Sequence, residues 1–273
     1  MQLEYDAEYD FYFRRWECRK ARAVVLLVHG MGAHTQRWED LAQTFLKHDI
    51  VSYAVELKGF GHTQGRRGDV KSFAVYFRDI NNLLISKIRA VHEICPIFLC
   101  GESMGGVIAA AVACRNRNIF AGLILVSPAF KGRLKFSLRQ YFAIVISFLL
   151  FPVKQFRVPF SSRMCTQDID YLRQMDADKR EHRLASARLL VRFLFLQNNT
   201  VKKIKNLGMP LLCLSPEHDT VVDEQTAKEV FASVRYSDKR YIEYKDMYHA
   251  LTIDVNRQKV FDDIVIWINN RLT

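Results

Sequence analysis

Aliphatic runs and amphipathic stretches alternate along most of this 273-residue chain. Residues 23–28 form an unbroken aliphatic run that ends in His29-Gly30. Such runs suit strands covered on both faces, as in a parallel sheet. Residues 50–57, 96–100, 120–127, 210–214 and 240–244 read as further strands, and residues 38–48, 70–92, 105–115, 224–234 and 257–272 as helices. Residues 3–18, rich in Tyr, Phe and acids, read as an antiparallel hairpin. Strand–helix alternation of this kind predicts an α/β fold with a mostly parallel central sheet flanked by helices. The alternation stops after Pro128. Residues 130–199 hold helical stretches and no clear strand, and read as a helical insertion within a core formed by residues 1–129 and 200–273.

Charge sharpens this division. The chain carries 40 Lys and Arg against 29 Asp and Glu, a net charge of +11. Residues 131–192 alone hold 13 basic and 5 acidic side chains, so +8 of the excess sits inside the insertion. Its centre, residues 141–153, is apolar but too short to span a bilayer, and it contains Pro152. An apolar helix flanked by cations fits either a lid packed over an acyl pocket or a segment that touches an anionic membrane surface. The basic excess lies among aliphatic residues rather than in a nucleic-acid motif, so nucleic acid is not an expected partner. The six cysteines include no C-x-x-C, and Cys100, Cys114 and Cys213 sit in apolar runs as small hydrophobes. With no secretory signal in residues 1–10, the expectation is a reduced, cytoplasmic protein with a possible peripheral membrane contact.

Candidate chemistry begins at Gly101-Glu102-Ser103-Met104-Gly105, a G-x-S-x-G motif between a strand and an Ala-rich helix. A tight strand–turn–helix junction of this kind exposes a serine hydroxyl as a nucleophile, and the flanking glycines leave room for neighbouring backbone. A serine needs a base, and the base an orienting carboxylate. Both follow in the order Ser, Asp, His: Asp219 after the strand at 210–214, and His249 after the last strand. Glu217 and Asp223 compete with Asp219 in one loop, but Asp223 precedes a helix and reads as its N-cap. Among the other histidines, His29 adjoins the first βα loop and reads as structural, and His218 is too close to Asp219 in sequence to face it. The Met31 and Met104 amides are the expected oxyanion donors. Tyr141, Phe148 and Phe151 are the expected substrate-lining residues of the insertion. Neither a metal nor a cofactor is implied: His92-Glu93 lacks the second His of H-E-x-x-H, and G-x-G-x-x-G and P-loop motifs are absent.

On these residues the chain resembles α/β-hydrolases of the monoacylglycerol lipase and lysophospholipase type, also called serine aminopeptidase-like hydrolases. Residues 29–38 are similar to the family's H-G-x-G-x-H-S-x-R-Y, and residues 56–68 to D-x-R-G-H-G-x-S-x-G-x-R-G. The departures are Thr35 for Ser, Trp38 for Tyr, Glu56 for Asp, Lys58 for Arg, Phe60 for His and Thr63 for Ser. All but Phe60 keep the chemical type. The resemblance implies an α/β-hydrolase fold in which the insertion is a cap over the active site. It also implies a serine hydrolase that cleaves monoacylglycerol- or lysophospholipid-type esters through an acyl-enzyme. A short-chain carboxylesterase, thioesterase or acyltransferase would use the same triad, and a lipid-binding module on a hydrolase fold is the non-enzymatic alternative.

Overall fold

The computed structural model describes residues 2–217 and 219–272; His218, weighed above as a rival base, lies outside the described residues. The chain opens with an antiparallel hairpin, β1 (Leu3–Asp6) and β2 (Phe11–Trp16). The parallel strands β3 (Ala23–Val28), β4 (Ile50–Glu56), β5 (Ile97–Glu102) and β6 (Gly122–Val126) follow. Between them run helices α1 (Glu39–Leu46), α2 (Phe73–Leu83) and α3 (Met104–Ala113). Every residue of β3, β4, β5 and β6 is buried, including the polar Ser52, Glu56 and Glu102 among their largely apolar residues. The long helix expected at 70–92 begins later, where the Ser72 side chain caps α2, and widens after Leu83 into a π-helical turn at Leu84–Arg89.

Between β6 and the next sheet strand lie α4 (Leu138–Leu150), β7 (Gln155–Arg157), α5 (Ile169–Ala177), β8 (Leu184–Ser186) and α6 (Ala187–Ile204). Two sequence expectations need correction here. The insertion does contain strands: β7 and β8 pair antiparallel, each only three residues long and so too short to show a period-two pattern. The expected boundary at residue 199 also falls inside α6. Gln197 and Thr200 beside it are buried, and the helix continues unbroken to Ile204.

The sheet is completed by β9 (Leu211–Pro216) and β10 (Lys239–Tyr244), with α7 (Glu224–Ser233) between them and α8 (Arg257–Asn269) at the end. Strand order is β1-β2-β4-β3-β5-β6-β9-β10, and all pairings beyond β2 and β4 are parallel. One face of the sheet is covered by apolar residues of α1 and α8, and the other by those of α2, α3, α6 and α7. All ten residues of α3 are buried, so the helix behind the serine turn is enclosed on every side. Among the described residues, no helix is long and apolar enough to cross a membrane.

Candidate active site

Ser103 stands at the junction of β5 and α3 with φ 56° and ψ −119°, a backbone conformation that L residues rarely adopt. Holding a non-glycine residue there costs about 1–3 kcal/mol, which the buried elements on both sides must absorb. The flanking glycines are sterically required. A Cβ on Gly101 would run into the Gly105 carbonyl oxygen, and one on Gly105 into the Val28 carbonyl oxygen. The Ser103 amide donates to the Val126 carbonyl at 2.9 Å, which pins the turn to the neighbouring strand.

The imidazole of His249 lies over this turn. Its Nε2 is 2.9 Å from Ser103 Oγ, and its Nδ1 is 2.7 Å from Asp219 Oδ2. An ionised carboxylate can only accept, so Nδ1 carries the proton and Nε2 is left to accept from the serine hydroxyl. Asp219 is 0% exposed, and its other oxygen accepts from the Val221 and Val222 amides at 2.8 and 2.9 Å. Burial opposes ionisation of Asp219, but the facing His249 and these three hydrogen bonds outweigh it and hold the carboxyl below its usual range. Burial likewise pushes the His249 imidazole down, and the Asp219 charge and hydrogen bond more than reverse this, raising it above its ordinary value.

The rivals are placed elsewhere. Asp223 caps α7, accepting from the Thr226 amide at 3.1 Å, and pairs with Lys131 at 3.0 Å. Glu217 is half-buried, and its amide donates to the Tyr244 carbonyl. His29 is locked in the framework: the Leu57 amide donates to its Nε2 at 3.0 Å, so its Nδ1 donates to the Gly30 carbonyl at 2.8 Å. That bond fixes the loop that carries Met31. A Cβ on Gly30 would sit 3.1 Å from the Ser103 Cβ, a tight contact that glycine avoids where this loop passes the nucleophile. Met104 is the first residue of α3, where helical geometry leaves an amide without an intrahelical acceptor.

A cavity of about 1110 Å³ opens above these residues, and Ser103, Met31, Met104 and His249 all line it. Much of its wall is apolar, including Phe130, Leu134, Phe136, Leu190, Phe193 and Val222. The face of α4 toward the cavity is Tyr141, Ile144 and Val145, as helical spacing dictates. Phe148 and Phe151 do not line it: Phe148 is half-buried a turn further along, and Phe151 is exposed where the chain leaves the helix. Two polar lining residues were not anticipated from the sequence and stand close to the reacting groups or the cavity floor. Glu102 is 6% exposed beside the serine, and Gln197 reaches down from α6 to donate to the Ala129 carbonyl at 2.6 Å. The x position of G-x-S-x-G could have drawn notice to Glu102, whereas no local pattern marks Gln197.

The family model described as serine aminopeptidase, S33, matches residues 19–256. The chain is 26% identical over 259 residues to the monoglyceride lipase of Mus musculus, covering 92% of this chain and 84% of the relative. The crystal structure of Paleococcus ferrophilus monoacylglycerol lipase superposes with a TM-score of 0.86 at 22% identity, covering 96% of this chain and 99% of that one. A soluble variant of monoglyceride lipase from Saccharomyces cerevisiae, solved with a substrate analogue, gives 0.85 at 22% identity over 100% of this chain and 95% of that one.

Proposed function

The chain belongs to the serine aminopeptidase S33 family and is an ester hydrolase on an α/β-hydrolase fold, and from that premise we propose that it cleaves monoacylglycerol- or lysophospholipid-type esters through an acyl-enzyme on Ser103. The observation that carries this reading is the unbroken chain of hydrogen bonds from Ser103 Oγ through His249 to Asp219 at the floor of a largely apolar cavity.

In this mechanism Ser103 Oγ attacks the ester carbonyl while His249 Nε2 takes its proton. The Met31 and Met104 amides receive the developing oxyanion, an interaction whose loss typically costs about 10²–10³-fold in kcat. His249, now cationic and held by Asp219, protonates the leaving alcohol. Water then enters, is deprotonated by the same nitrogen and releases the acid. An acyl chain finds apolar wall on α6 at Leu190 and Phe193 and on α4 at Ile144 and Val145. The segment between β6 and β9 is read as the cap, with α6 included to its end at Ile204.

The cap also suggests where substrate comes from. Phe142 is 70% exposed, and Val145, Ile146, Leu149 and Leu150 on α4 and Leu194 and Phe195 on α6 are exposed beside it. Lys135, Arg139, Lys154 and Arg157 are exposed on the same segment. Apolar side chains ringed by cations suit the surface of an anionic bilayer, where each cation contributes about 1 kcal/mol. The experiment is a hydrolysis panel of p-nitrophenyl esters of increasing acyl length, run beside monoacylglycerol and lysophospholipid, with Ser103→Ala as the control. Activity that rises with chain length and vanishes in Ser103→Ala supports the reading. Equal activity on acetyl and long-chain esters favours the short-chain carboxylesterase.

A further inference from the structure

Glu102 is the last residue of β5, directly before the nucleophile, and its carboxylate is almost wholly buried. A buried carboxylate is costly unless something on the protein faces it. Here Thr252 does so: its Oγ1 donates to Glu102 Oε1 at 2.9 Å. Thr252 is 1% exposed and lies in the 3-10 turn Leu251–Ile253, three residues past His249. One hydrogen bond therefore joins the turn that presents Ser103 to the loop that presents His249, across 150 residues of sequence.

The charges around this bond are few and identifiable. Glu102 is faced by His249 from the base loop and by Arg37 from the 3-10 turn Thr35–Trp38, with the Cys165 thiol nearby on the cap segment. Arg37 is itself gripped by Glu181, its Nε and an Nη reaching the carboxylate at 2.5 and 2.7 Å, so much of its charge is spent there. The imidazole in turn is faced by Asp219, Glu102 and Arg37. Burial raises the Glu102 carboxyl above its usual range, while Thr252, His249 and Arg37 pull it back toward ionisation.

Given the reading of Ser103 and His249 as nucleophile and base, we propose that Glu102 is a positioning residue. Through Thr252 it clamps the nucleophile turn to the base loop, and it sets a second negative charge, besides Asp219, against the imidazole. The two parts separate by substitution. Glu102→Gln keeps an oxygen to accept from Thr252 and removes the charge. Thr252→Val keeps the carboxyl and removes the donor. Thr252→Ser restores the donor.

The test is the pH profile of kcat/KM, with kcat and KM on the high-pH plateau, for a soluble p-nitrophenyl ester. Glu102→Gln should move the acid limb down by about 0.5–1 pH unit, because a negative charge that favours imidazolium has gone. Its plateau should stay within about threefold of the parent, because the clamp remains. Thr252→Val should lower plateau kcat by about tenfold with KM little changed and the limb at or below its parent position, because a buried carboxyl without its donor is easier to protonate, and Thr252→Ser should recover the loss. An unmoved acid limb in folded Glu102→Gln overturns the charge role. A parent-like plateau in Thr252→Val, or no recovery in Thr252→Ser, overturns the clamp. Should Glu102→Gln not fold, Glu102→Asp serves in its place: it keeps the charge but is too short for the bond, so it should lose plateau kcat like Thr252→Val, and a parent-like kcat there overturns the clamp. Ser103→Ala in the same assay keeps this outcome apart from failure of the underlying mechanism, since that variant must be inactive whatever Glu102 does.

Discussion

The Phe60 ring lies nearly parallel to the His182 imidazole, with centroids 5.5 Å apart and planes 11° apart. Phe60 is the position where the family pattern has a polar His, and it is fully buried, its ring also meeting His29 edge-on at 6.0 Å. Apolar stacking therefore takes the place of a polar group here. It joins the loop after β4 to the segment before β8, which His182 Nε2 also ties to the Gly59 carbonyl at 3.2 Å. Nearby, Arg188 and Ser186 both grip Asp69. Truncating such a ring loses transfer energy and leaves a cavity, so Phe60→Ala should cost about 3–5 kcal/mol in urea unfolding. Phe60→Leu should cost less.

The strained serine gives a second expectation, which compares two dead variants. Ser103→Ala and Ser103→Gly both lack the nucleophile, and activity should fall at least ~10³-fold in each. They differ in backbone. Glycine relieves the positive φ of 56°, worth about 1–3 kcal/mol, and loses about 0.5–1 kcal/mol to its freedom in the unfolded chain. Ser103→Gly should therefore be more stable than Ser103→Ala by about 1 kcal/mol in denaturant unfolding. A Ser103→Gly variant less stable than Ser103→Ala by the glycine cost of about 0.5–1 kcal/mol would show that the turn stores no strain.

The acid limb of activity follows from His249. Its imidazole is raised above its ordinary value, mainly because Asp219 outweighs burial, and only the neutral ring can accept the serine proton. The catalytic contribution is thus fully present above the folded-state pKa and is lost as pH falls through it. Asp219→Asn removes the main raising charge while burial stays, so the limb should move to lower pH. The plateau should drop far more than in Glu217→Gln or Asp223→Asn, on the scale of the ~10⁴-fold loss known for the equivalent change in serine proteases. Steady-state kinetics from acid to neutral pH measures both.

Much of this site could be read from the sequence because its parts are local. The burial of β3 follows from its unbroken aliphatic run, and the serine turn from glycines two residues on either side. Asp219 and His249 could be picked out because each follows a strand in the required chain order. What escaped notice is held by partners far apart. Thr252 meets Glu102 across 150 residues, Arg37 meets Glu181 across 144, and Gln197 meets Ala129 across 68. No periodicity encodes such pairs. Phe148 and Phe151 lie away from the cavity, which the sequence could not show because an apolar residue on a helix of the insertion looks the same in sequence whether it faces the cavity or the outside.

The apolar cap face should bind lipid surfaces of one charge. Lys131 and Arg133 are engaged by Asp223 and Glu224, so the test uses the exposed cations Lys135, Arg139, Lys154 and Arg157. In vesicle flotation the protein should associate with vesicles that contain anionic lipid. Binding should weaken as salt rises, because attraction beyond a Debye length of ~8 Å is screened at physiological ionic strength. Changing all four cations to Gln should reduce flotation and leave hydrolysis of a short soluble ester near its parent value, since none of the four touches Ser103, Asp219 or His249. Equal flotation of parent and variant would assign this surface another use.

Acylation of Ser103 with His249 as its base is tested most directly by covalent labelling followed by mass spectrometry. The protein is treated with a fluorophosphonate and digested, and the adduct is mapped to a residue. One adduct per chain is expected, on Ser103, absent in Ser103→Ala and formed at least ~10²-fold more slowly in His249→Ala. An adduct on another residue, or an unlabelled Ser103 in protein that still hydrolyses esters, would contradict the account.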